Sequence, residues 1–402
     1  MPPVPSPVEL PSSARQSTLR ETNLSVVMRC ICEAVEPISR AGVAAATGMT
    51  RSTVSRLVDD LVAGALVEEG KATLSGPGRP PTPLSPARGT VAALGLQVNA
   101  AHVVALLIDL RGDVLVESRS EPNLVGSDPD VGLGQLTAHV REVLATAPAG
   151  LRVLGAGLAL PGLVDASGHR LLKAPNLGWR EVEPATELYD VLRHIPLRLG
   201  NEATLAAHAV AQPRPGRRGP HRDFVYLSGE IGIGGAIVTD GRVQAGARGF
   251  AGEIGHMTYL PDGDACPCGS TGCLERYAGR LAMTTRAGLP PETTLAELGR
   301  RAEAGHLGSR EAVALAADAL GVVLAGVVNL LDVSTIVLGG EIGDLLHRLA
   351  PRIEALLRER VMAADWVEVT LSRDHDDVAG ATGAALLQLG AVIDDPAAYL
   401  DS

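Results

Sequence analysis

Four potential metal ligands, one histidine and three cysteines, lie within residues 256–273 of this 402-residue chain. They are His256, Cys266, Cys268 and Cys273. Three thiolates and one imidazole form a ligand set that tetrahedral Zn²⁺ favours, and four protein ligands leave no position for a catalytic water. The spacing therefore predicts a structural zinc site, in which one metal ion holds this loop in place. The alternative is that the cysteines are ordinary buried thiols and the histidine is unrelated to them.

The remaining cysteines and the first residues favour a cytoplasmic protein. Cys30 and Cys32 lie in a helical pattern, and the odd total of five cysteines argues against a disulfide framework. Residues 1–17 are rich in proline and serine and have no signal-peptide core, so we expect a disordered tail. The longest apolar stretch, residues 318–332, is too short to span a bilayer, and no membrane partner is expected.

Composition and charge predict two regions with different partners. A hydrophobic fraction of 46% in a chain of this length is ample for more than one core. The net charge is −11, but residues 1–90 contain nine Arg/Lys against eight Asp/Glu, so nucleic acid does not repel this region as it repels the rest. The proline-rich stretch 76–86 marks the boundary. We expect a helical module over residues 18–88 and an α/β region over residues 91–402.

The first region has the pattern of a helix-turn-helix. Residues 22–36 predict an amphipathic helix. Ser39 can cap a second helix that runs to about residue 47, and Gly48 supplies a turn before Thr50 caps a third. The third helix has a core-facing row at helical spacing, formed by Val54, Leu57, Val58, Leu61 and Val62.

The opposite face of the third helix carries side chains that can bind DNA. They are Arg51, Ser52, Thr53, Ser55 and Arg56, whose guanidinium and hydroxyl groups suit phosphates and base edges. A two-stranded wing is expected over residues 65–74. Arg79, on an extended Gly-Arg-Pro segment, can reach a minor groove. These features predict binding to a double-stranded DNA operator, and the alternative is a small helical bundle that serves for dimerisation.

From residue 91, apolar runs alternate with helical stretches, which predicts an α/β fold. Strands are expected near residues 92–98, 103–109, 153–159, 224–228, 234–238 and 334–338. One β-hairpin is expected over residues 95–116 with its turn at 111–113, and a glycine-rich hairpin leads to a turn at Asp240 and Gly241. Two similar openings, each at the start of an α/β lobe, predict an internal duplication with a cleft between the lobes.

Several motifs make this region resemble the ROK family of repressors, open reading frames and kinases. They are Phe250-Ala-Gly-Glu253-Ile-Gly-His256, the cysteine cluster ending in Glu275, Asn201-Glu202-Ala203, Pro175-Asn176-Leu177 and Leu338-Gly339-Gly340. The resemblance covers the chain from about residue 18 and includes the winged helix. It implies two ribonuclease-H-like lobes of the sugar kinase and actin type, about residues 91–205 plus the C-terminal helix and about 206–375. It also implies a monosaccharide or sugar phosphate in the cleft and a homodimer or homotetramer.

The same resemblance assigns candidate sugar-binding residues. They are Asn176, Asn201, Glu202, Glu253, His256 and Glu275. Glu202 stands at the position of the kinases' catalytic base, and Asn176 follows a proline, where asparagine is often only part of a turn. Carboxylates and amides suit sugar hydroxyls, and a histidine bound to metal through one nitrogen can offer the other to a hydroxyl. The alternative for Glu253 and Glu275 is a surface carboxylate in a loop.

The chain departs from the kinases of that family at the nucleotide-binding positions. The kinases carry an aspartate followed by Gly-Gly-Thr in the first hairpin, where this chain has Gln97, Asn99, Ala100 and Ala101. The groups that cradle phosphate and Mg²⁺ are therefore expected to be lost. In the second hairpin, Glu230 would repel a nucleotide.

The chain thus keeps the sugar-contacting residues of the family but lacks its nucleotide-binding residues. This combination predicts a sugar-responsive DNA-binding regulator, most simply a repressor, rather than an enzyme. Two alternatives remain open. One is an active ATP-dependent sugar kinase that also regulates. The other is a regulator controlled by a protein partner that docks near the zinc loop.

Overall fold

The computed structural model describes residues 12–71 and 82–401. Within these ranges the N-terminal module contains three helices and a small sheet. Its elements are α1 (Ser12–Glu33), β1 (Ile38–Ser39), α2 (Arg40–Thr47), α3 (Arg51–Ala63), β2 (Val67–Glu69) and β3 (Pro83–Pro86). The strands pair antiparallel in the order β1-β3-β2. This is a winged helix-turn-helix, as the sequence predicts.

Local capping determines where helices α2 and α3 begin. The Ser39 hydroxyl accepts a hydrogen bond from Gly42 N (3.1 Å), and the Thr50 hydroxyl accepts one from Thr53 N (3.2 Å). Between the helices Gly48 has a φ of +72°, a conformation that glycine adopts at little cost. The predicted caps and turn are confirmed. The buried residues of α3 are Val54, Leu57, Val58 and Leu61, with Val62 partly buried beside them.

Helix α1 differs from its predicted bounds at both ends. It begins at Ser12, inside the segment 1–17 that was predicted to be a disordered tail, and it ends at Glu33 instead of residue 36. No glycine or proline lies between Ser12 and residue 22 to interrupt the helix. At the other end Pro37 disfavours helical geometry in the residue before it.

The wing pairs β2 with a strand farther along the chain than predicted. Both strands were expected within residues 65–74, of which 72–74 lie outside the described residues, and β2 pairs with β3, which follows residue 82. The sequence did not predict β3 because it contains Pro83 and Pro86, and proline is rarely found within a paired strand. Arg79, the predicted minor-groove residue, lies outside the described residues.

The first lobe is built on a five-stranded mixed sheet. Its elements are β4 (Val91–Val98), β5 (Val103–Asp109), β6 (Val114–Ser120), α4 (Pro129–Thr146), β7 (Arg152–Leu160), β8 (Leu163–Val164), β9 (Leu171–Ala174), β10 (Trp179–Val182), α5 (Pro184–Glu187), α6 (Tyr189–Leu192), β11 (Leu197–Asn201) and α7 (Glu202–Ala211). The sheet order is β11-β7-β4-β5-β6, with β7 and β11 parallel to β4. Strands β8 to β10 form a separate small sheet.

The second lobe repeats this strand plan. Its elements are β12 (Phe224–Gly229), β13 (Ile233–Thr239), β14 (Arg242–Val243), α8 (Glu275–Ala278), α9 (Arg280–Arg286), α10 (Leu295–Glu303), α11 (Leu307–Leu331), β15 (Thr335–Gly339), α12 (Gly340–Asp344), α13 (Leu346–Arg360) and β16 (Thr370–Arg373), followed by α14 (Ala379–Asp394) and α15 (Pro396–Leu400). The order β14-β13-β12-β15-β16 again joins an antiparallel meander to two parallel strands. The predicted duplication is confirmed, and the six predicted strands agree with the observed bounds to within one residue.

The predicted hairpin over residues 95–116 is part of a three-stranded meander. A turn at 99–102 joins β4 to β5, and the predicted turn at 111–113 joins β5 to β6 instead. The expected hairpin ends at residue 116 and therefore includes only the start of β6, which is a partly exposed edge strand of mixed polarity. In the second lobe, Asp240 (φ +55°) and Gly241 (φ +71°) form the expected turn between β13 and β14.

Helix α11 is longer than the apolar stretch read from the sequence. Among the described helices of at least 18 residues, it is the one that is long and apolar enough to cross a membrane. Its apolar residues nevertheless lie in the core of the second lobe, where Leu320 and Leu324 are completely buried. The helix therefore has a packing role in this fold.

Helix α14 packs on the first lobe and joins it to the N-terminal module. It lies so close to the sheet that a Cβ on Gly95 would stand 2.1 Å from Ala381 O, and one on Gly157 would stand 2.5 Å from Ala384 O. One hydrophobic core is shared by α1, α3 and α14, and it includes Leu24, Met28, Leu57, Leu386, Leu389 and Ile393. The N-terminal module is thus packed against the lobe through a common core.

Candidate ligand cleft and metal centre

A cleft lies between the two lobes. One wall is formed where β4, β7 and β11 end, and the other by the β12–β13 turn and the segment that leads into α8. All six predicted sugar-binding residues line this cleft: Asn176, Asn201, Glu202, Glu253, His256 and Glu275. A crevice at the carboxyl ends of parallel strands is a usual position for a ligand in α/β folds.

The predicted metal ligands converge beside this cleft. The ligand atoms of His256, Cys266, Cys268 and Cys273 all lie within 4.8 Å of one another. Cys268 Sγ is 3.7 Å from Cys273 Sγ, and Cys266 Sγ is 3.8 Å from His256 Nδ1. A tetrahedron with metal–sulfur bonds of about 2.3 Å has edges of about 3.8 Å, so this spacing fits a single metal ion. The arrangement can hold a metal.

His256 faces the metal cluster and the cleft with different nitrogens. Its Nδ1 points toward Cys266, and its Nε2 lies 3.8 Å from Glu253 Oε2. Glu275 stands beside the cluster with Oε1 3.0 Å from Cys266 Sγ and 3.7 Å from His256 Nδ1. Desolvation raises the pKa of the Glu253 carboxyl. The cluster and the acids of the cleft therefore form one connected group.

The two asparagines hold different parts of the cleft wall. Asn201 Oδ1 caps α7 by accepting from Thr204 N (3.1 Å), and Asn201 Nδ2 donates to Gly162 O (2.9 Å). One N–H of the Asn201 amide remains for a ligand. Asn176 Nδ2 lies beside Gly232, where a Cβ would stand only 2.6 Å from it. Glycine at this position keeps the cleft open.

Glu202 is hydrogen-bonded to two amide side chains at the end of β4 and just beyond it. Its Oε1 accepts from Gln97 Nε2 and from Asn99 Nδ2, both at 2.6 Å. Asn99 Oδ1 in turn accepts from the backbone amides of Ala101 (2.9 Å) and His102 (2.7 Å). The turn between β4 and β5 is thus closed by its own side chain.

Replacing Glu202 by glutamine is expected to remove a pH-dependent part of the stability. Desolvation, together with the charge of Glu230, raises the pKa of Glu202 from 4.5 to about 7. A carboxyl whose pKa is raised by folding stabilises the fold fully below pH 4.5 and loses this contribution as pH rises through 7, at most about 3 kcal/mol. Denaturant unfolding at about pH 5 and pH 8 measures it.

The exposed Glu187→Gln change on α5 is the matched control, because it removes the same charge where the carboxyl stays in water. Glu187→Gln should keep the wild-type difference between the two pH values, and Glu202→Gln should reduce it. An equal pH dependence in all three proteins would show that Glu202 has an ordinary pKa.

A second cleft adjoins the first across Glu230. Its walls carry six carboxylates: Glu121, Glu230, Glu292, Glu341, Asp344 and Asp377. Arg280, on the same walls, is paired with Glu341 at 2.8 Å. His102 Nε2 is 3.7 Å from Glu230 Oε2, and this contact raises the pKa of His102. The cleft is acidic, and two of its basic groups already face carboxylates.

Lys173 links the two lobes and was not found by sequence reasoning. Its Nζ donates to Cys268 O at 3.0 Å, which ties β9 of the first lobe to the metal loop of the second. The chain has only two lysines, Lys71 and Lys173, and this scarcity was the one available signal. The acceptor is a backbone carbonyl 95 residues away, which leaves no trace in the local pattern.

The predicted DNA-contact residues lie on the outer face of α3. Arg51, Ser52 and Arg56 are exposed, and Thr53 and Ser55 are half-buried. Their side chains therefore face away from the core row of the same helix. A helix placed in this way can enter a major groove.

Arg40 holds this helix in place and was also missed. Its guanidinium donates to Ser55 O (2.9 Å), Asp59 (2.7 Å) and Glu69 (2.8 Å). These bonds connect α2 to α3 and to β2. Arg40 therefore helps to fix the orientation of α3.

The fold and its sites define a class of protein, a winged helix-turn-helix fused to a two-lobed domain with a ligand cleft between the lobes. The model of the ROK family matches residues 93–391, and the chain belongs to that family. The model of the IclR helix-turn-helix domain matches residues 23–70.

The xylose repressor of Caldicellulosiruptor bescii is 27% identical over 383 residues, which cover 90% of this chain and 94% of that protein. The xylose repressor of Bacillus subtilis strain 168 is 29% identical over 274 residues, or 67% of this chain and 69% of that protein. These relatives are repressors, and the first matches almost the whole chain.

Among solved structures, a ROK family transcriptional regulator described as a homologue of the E. coli MLC protein shares the fold. Its TM-score is 0.76 at 24% identity, over 95% of this chain and 99% of that one. The ROK hexokinase of Thermus thermophilus has a TM-score of 0.58 at 29% identity, over 73% of this chain and 97% of that one.

Proposed function

We propose that this chain is a transcriptional repressor that binds its operator through α3 and releases it when a monosaccharide enters the cleft. One observation carries this proposal: a helix-turn-helix with exposed arginines shares its core with a lobe whose cleft is lined by carboxylates and amides. The similarity to xylose repressors along 90% of the chain supports it.

The contacts around the second cleft argue against ATP-dependent phosphorylation. The Asn99 side chain occupies two backbone amides that could otherwise bind an anion. Arg280 is neutralised by Glu341, and Glu230 faces the space where a triphosphate would lie. Glu202 replaces the aspartate base of the kinases, and a displacement of about 1 Å can cost about 100-fold in rate. These features support a receptor rather than a catalyst.

The charge of the cleft favours a neutral sugar over a sugar phosphate. Four carboxylates line it, those of Glu202, Glu230, Glu253 and Glu275. None of the described residues that line it is lysine or arginine. A phosphate dianion would therefore meet like charges without a counter-charge, whereas sugar hydroxyls can donate to the carboxylates. Xylose is the first candidate, because the relatives named above are xylose repressors.

Zinc is the metal that fits the cluster best, because three thiolates and one imidazole are its preferred tetrahedral set. When bound, zinc supplies a fixed point for the loop and leaves no site for catalysis. His256 would bind it through Nδ1 and present Nε2 to the cleft, next to Glu253. The Glu275 carboxyl, which is only 8% exposed, would be positioned by the same loop.

A thermal-shift screen tests this function. The zinc-loaded protein is heated with xylose, glucose, N-acetylglucosamine, their phosphates and ATP. A ligand that binds the folded state at 100 times its Kd stabilises it by about 2.7 kcal/mol, so one neutral sugar should raise the Tm. That sugar should also release operator DNA. A shift with ATP would support the kinase alternative, and no shift with any sugar would contradict the proposal.

A further inference from the structure

Gln97 is a buried amide with two partners in different parts of the molecule. It lies on β4 and is 4% exposed. Its Nε2 donates to Glu202 in the ligand cleft (2.6 Å), and its Oε1 accepts from Ala381 N in the first turn of α14 (3.0 Å). The partners determine the orientation of the amide, because Ala381 N can only donate and Glu202 Oε1 also receives the Asn99 amide.

Helix α14 depends on Gln97 for its first turn. The residue before the helix, Val378, provides no capping side chain, so Gln97 supplies an acceptor from another strand. A Cβ on Gly380 would stand 2.8 Å from Gln97 Oε1, and glycine makes room for this contact. Buried helix ends require such partners, and loss of one leaves an unsatisfied donor. The position of α14 is therefore coupled to the side chain of Gln97.

The other end of α14 contacts the DNA-binding module. Ser25 Oγ on α1 donates to Ile393 O (3.3 Å), and Arg29 on α1 pairs with Asp394. Helix α15 follows directly and packs against α1 and α3, where Leu400 meets Gly64 at the end of α3. A shift of α14 as a rigid rod therefore moves the supports of the recognition helix.

We propose that Gln97 is the positioning residue that couples the ligand cleft to the DNA-binding module, through Glu202 on one side and the first turn of α14 on the other. The inference rests on the proposed function and adds its route of regulation. A sugar that hydrogen-bonds to Glu202 competes for the oxygen that holds Gln97. The Gln97 amide then changes its bond to α14, and the helix transfers the change to α1, α15 and α3.

The test compares operator affinity with and without sugar in the full-length, zinc-loaded protein. Xylose and glucose are the probes, and the sugar Kd is measured separately by calorimetry. Effector coupling typically changes affinity about 5–150-fold. Gln97→Met keeps the length of the side chain but removes both hydrogen bonds, so saturating sugar should change its operator affinity by less than about twofold. Gln388→Met, which removes another amide from α14, is the matched control and should keep the wild-type ratio.

A second variant makes the coupling between sugar and operator binding depend on pH, which a purely structural role of residue 97 would not do. Gln97→Glu keeps an acceptor for Ala381 N but can donate to Glu202 only while the two carboxyls share a proton. Its coupling should approach the wild-type value at about pH 5.5 and be lost at about pH 8. The other titratable groups near Glu202 are Glu230, His102 and Tyr226. They are unchanged, so the wild type at both pH values is the reference.

The results for Gln97→Met and for the wild type distinguish the inference from the proposed function. Full wild-type coupling in Gln97→Met, or a reduced sugar affinity with wild-type coupling at saturation, would overturn the inference, because Gln97 would then only shape the cleft. A wild-type protein that binds sugar without releasing the operator would overturn the proposed function and the inference together. Loss of coupling in Gln97→Met with sugar affinity kept supports both.

Discussion

Replacing Cys273 by serine is expected to weaken sugar binding strongly and to destabilise the second lobe at the same time. Cys273 is completely buried, and its sulfur lies 3.7 Å from Cys268 Sγ in the cluster that fits zinc. Structural zinc contributes about 10–16 kcal/mol in small zinc-finger peptides, which exceeds the usual effect of one substitution, about 0.5–3 kcal/mol. Even a fraction of that energy would be a large loss for one lobe.

Sugar affinity should fall about 10–100-fold, because His256 and Glu275 are positioned by the same loop. Metal analysis, denaturant unfolding and calorimetry with the effector sugar measure the three effects. Cys30→Ser is the control, since Cys30 is a half-buried thiol outside the cluster, and it should keep one zinc per chain and the wild-type sugar affinity. A zinc-free Cys273→Ser protein that still binds sugar normally would show that metal and cleft are independent.

Replacing Arg51 and Arg56 together by alanine is expected to remove specific operator binding. Both side chains are exposed on the outer face of α3. A base-edge or phosphate contact by arginine contributes about 1–3 kcal/mol, so the double variant should lose about 10²–10⁴-fold in operator affinity. Its sugar affinity should not change, because neither residue lines the cleft.

Fluorescence anisotropy with operator DNA at fixed salt concentration measures this loss. The control is Arg358→Ala, which removes an exposed positive charge from α13 in the second lobe. That variant should bind operator as the wild type does. If the double variant also kept wild-type affinity, α3 would not be the helix that reads the operator, and the small-bundle alternative would gain support.

Local sequence signals predicted the helix caps and six of the ten strands in the two five-stranded sheets. Ser39, Gly48 and Thr50 act within three or four residues of their own positions, so their pattern survives in any tertiary context. Strands β5 and β12 are buried apolar runs of 7 and 6 residues, a length that is typical of a strand. Strand β3 was missed because it contains prolines, and β6 was predicted only in its first three residues because it is a partly exposed edge strand. Strands β11 and β16 were not predicted.

The candidate site was predicted from motifs rather than from physical pattern. The cysteine spacing alone indicated a metal site, and the fold brings the four ligand atoms within 4.8 Å. The residues of the cleft come from segments far apart in the chain, and the resemblance to a family was needed to group them. Lys173 and Arg40 had no such motif, and their partners became visible only in the folded protein.

The sequence by itself determined the capped helices α2 and α3, the longer buried strands and the spacing of four potential metal ligands. These follow from interactions between near neighbours in the chain, or from side chains whose chemistry is the same in any fold. Tertiary structure alone decided that α14 shares a core with α1 and α3, and that Gln97 bonds to Ala381, 284 residues away. Burial of apolar surface between distant segments makes such contacts, and no local pattern records which segments will meet.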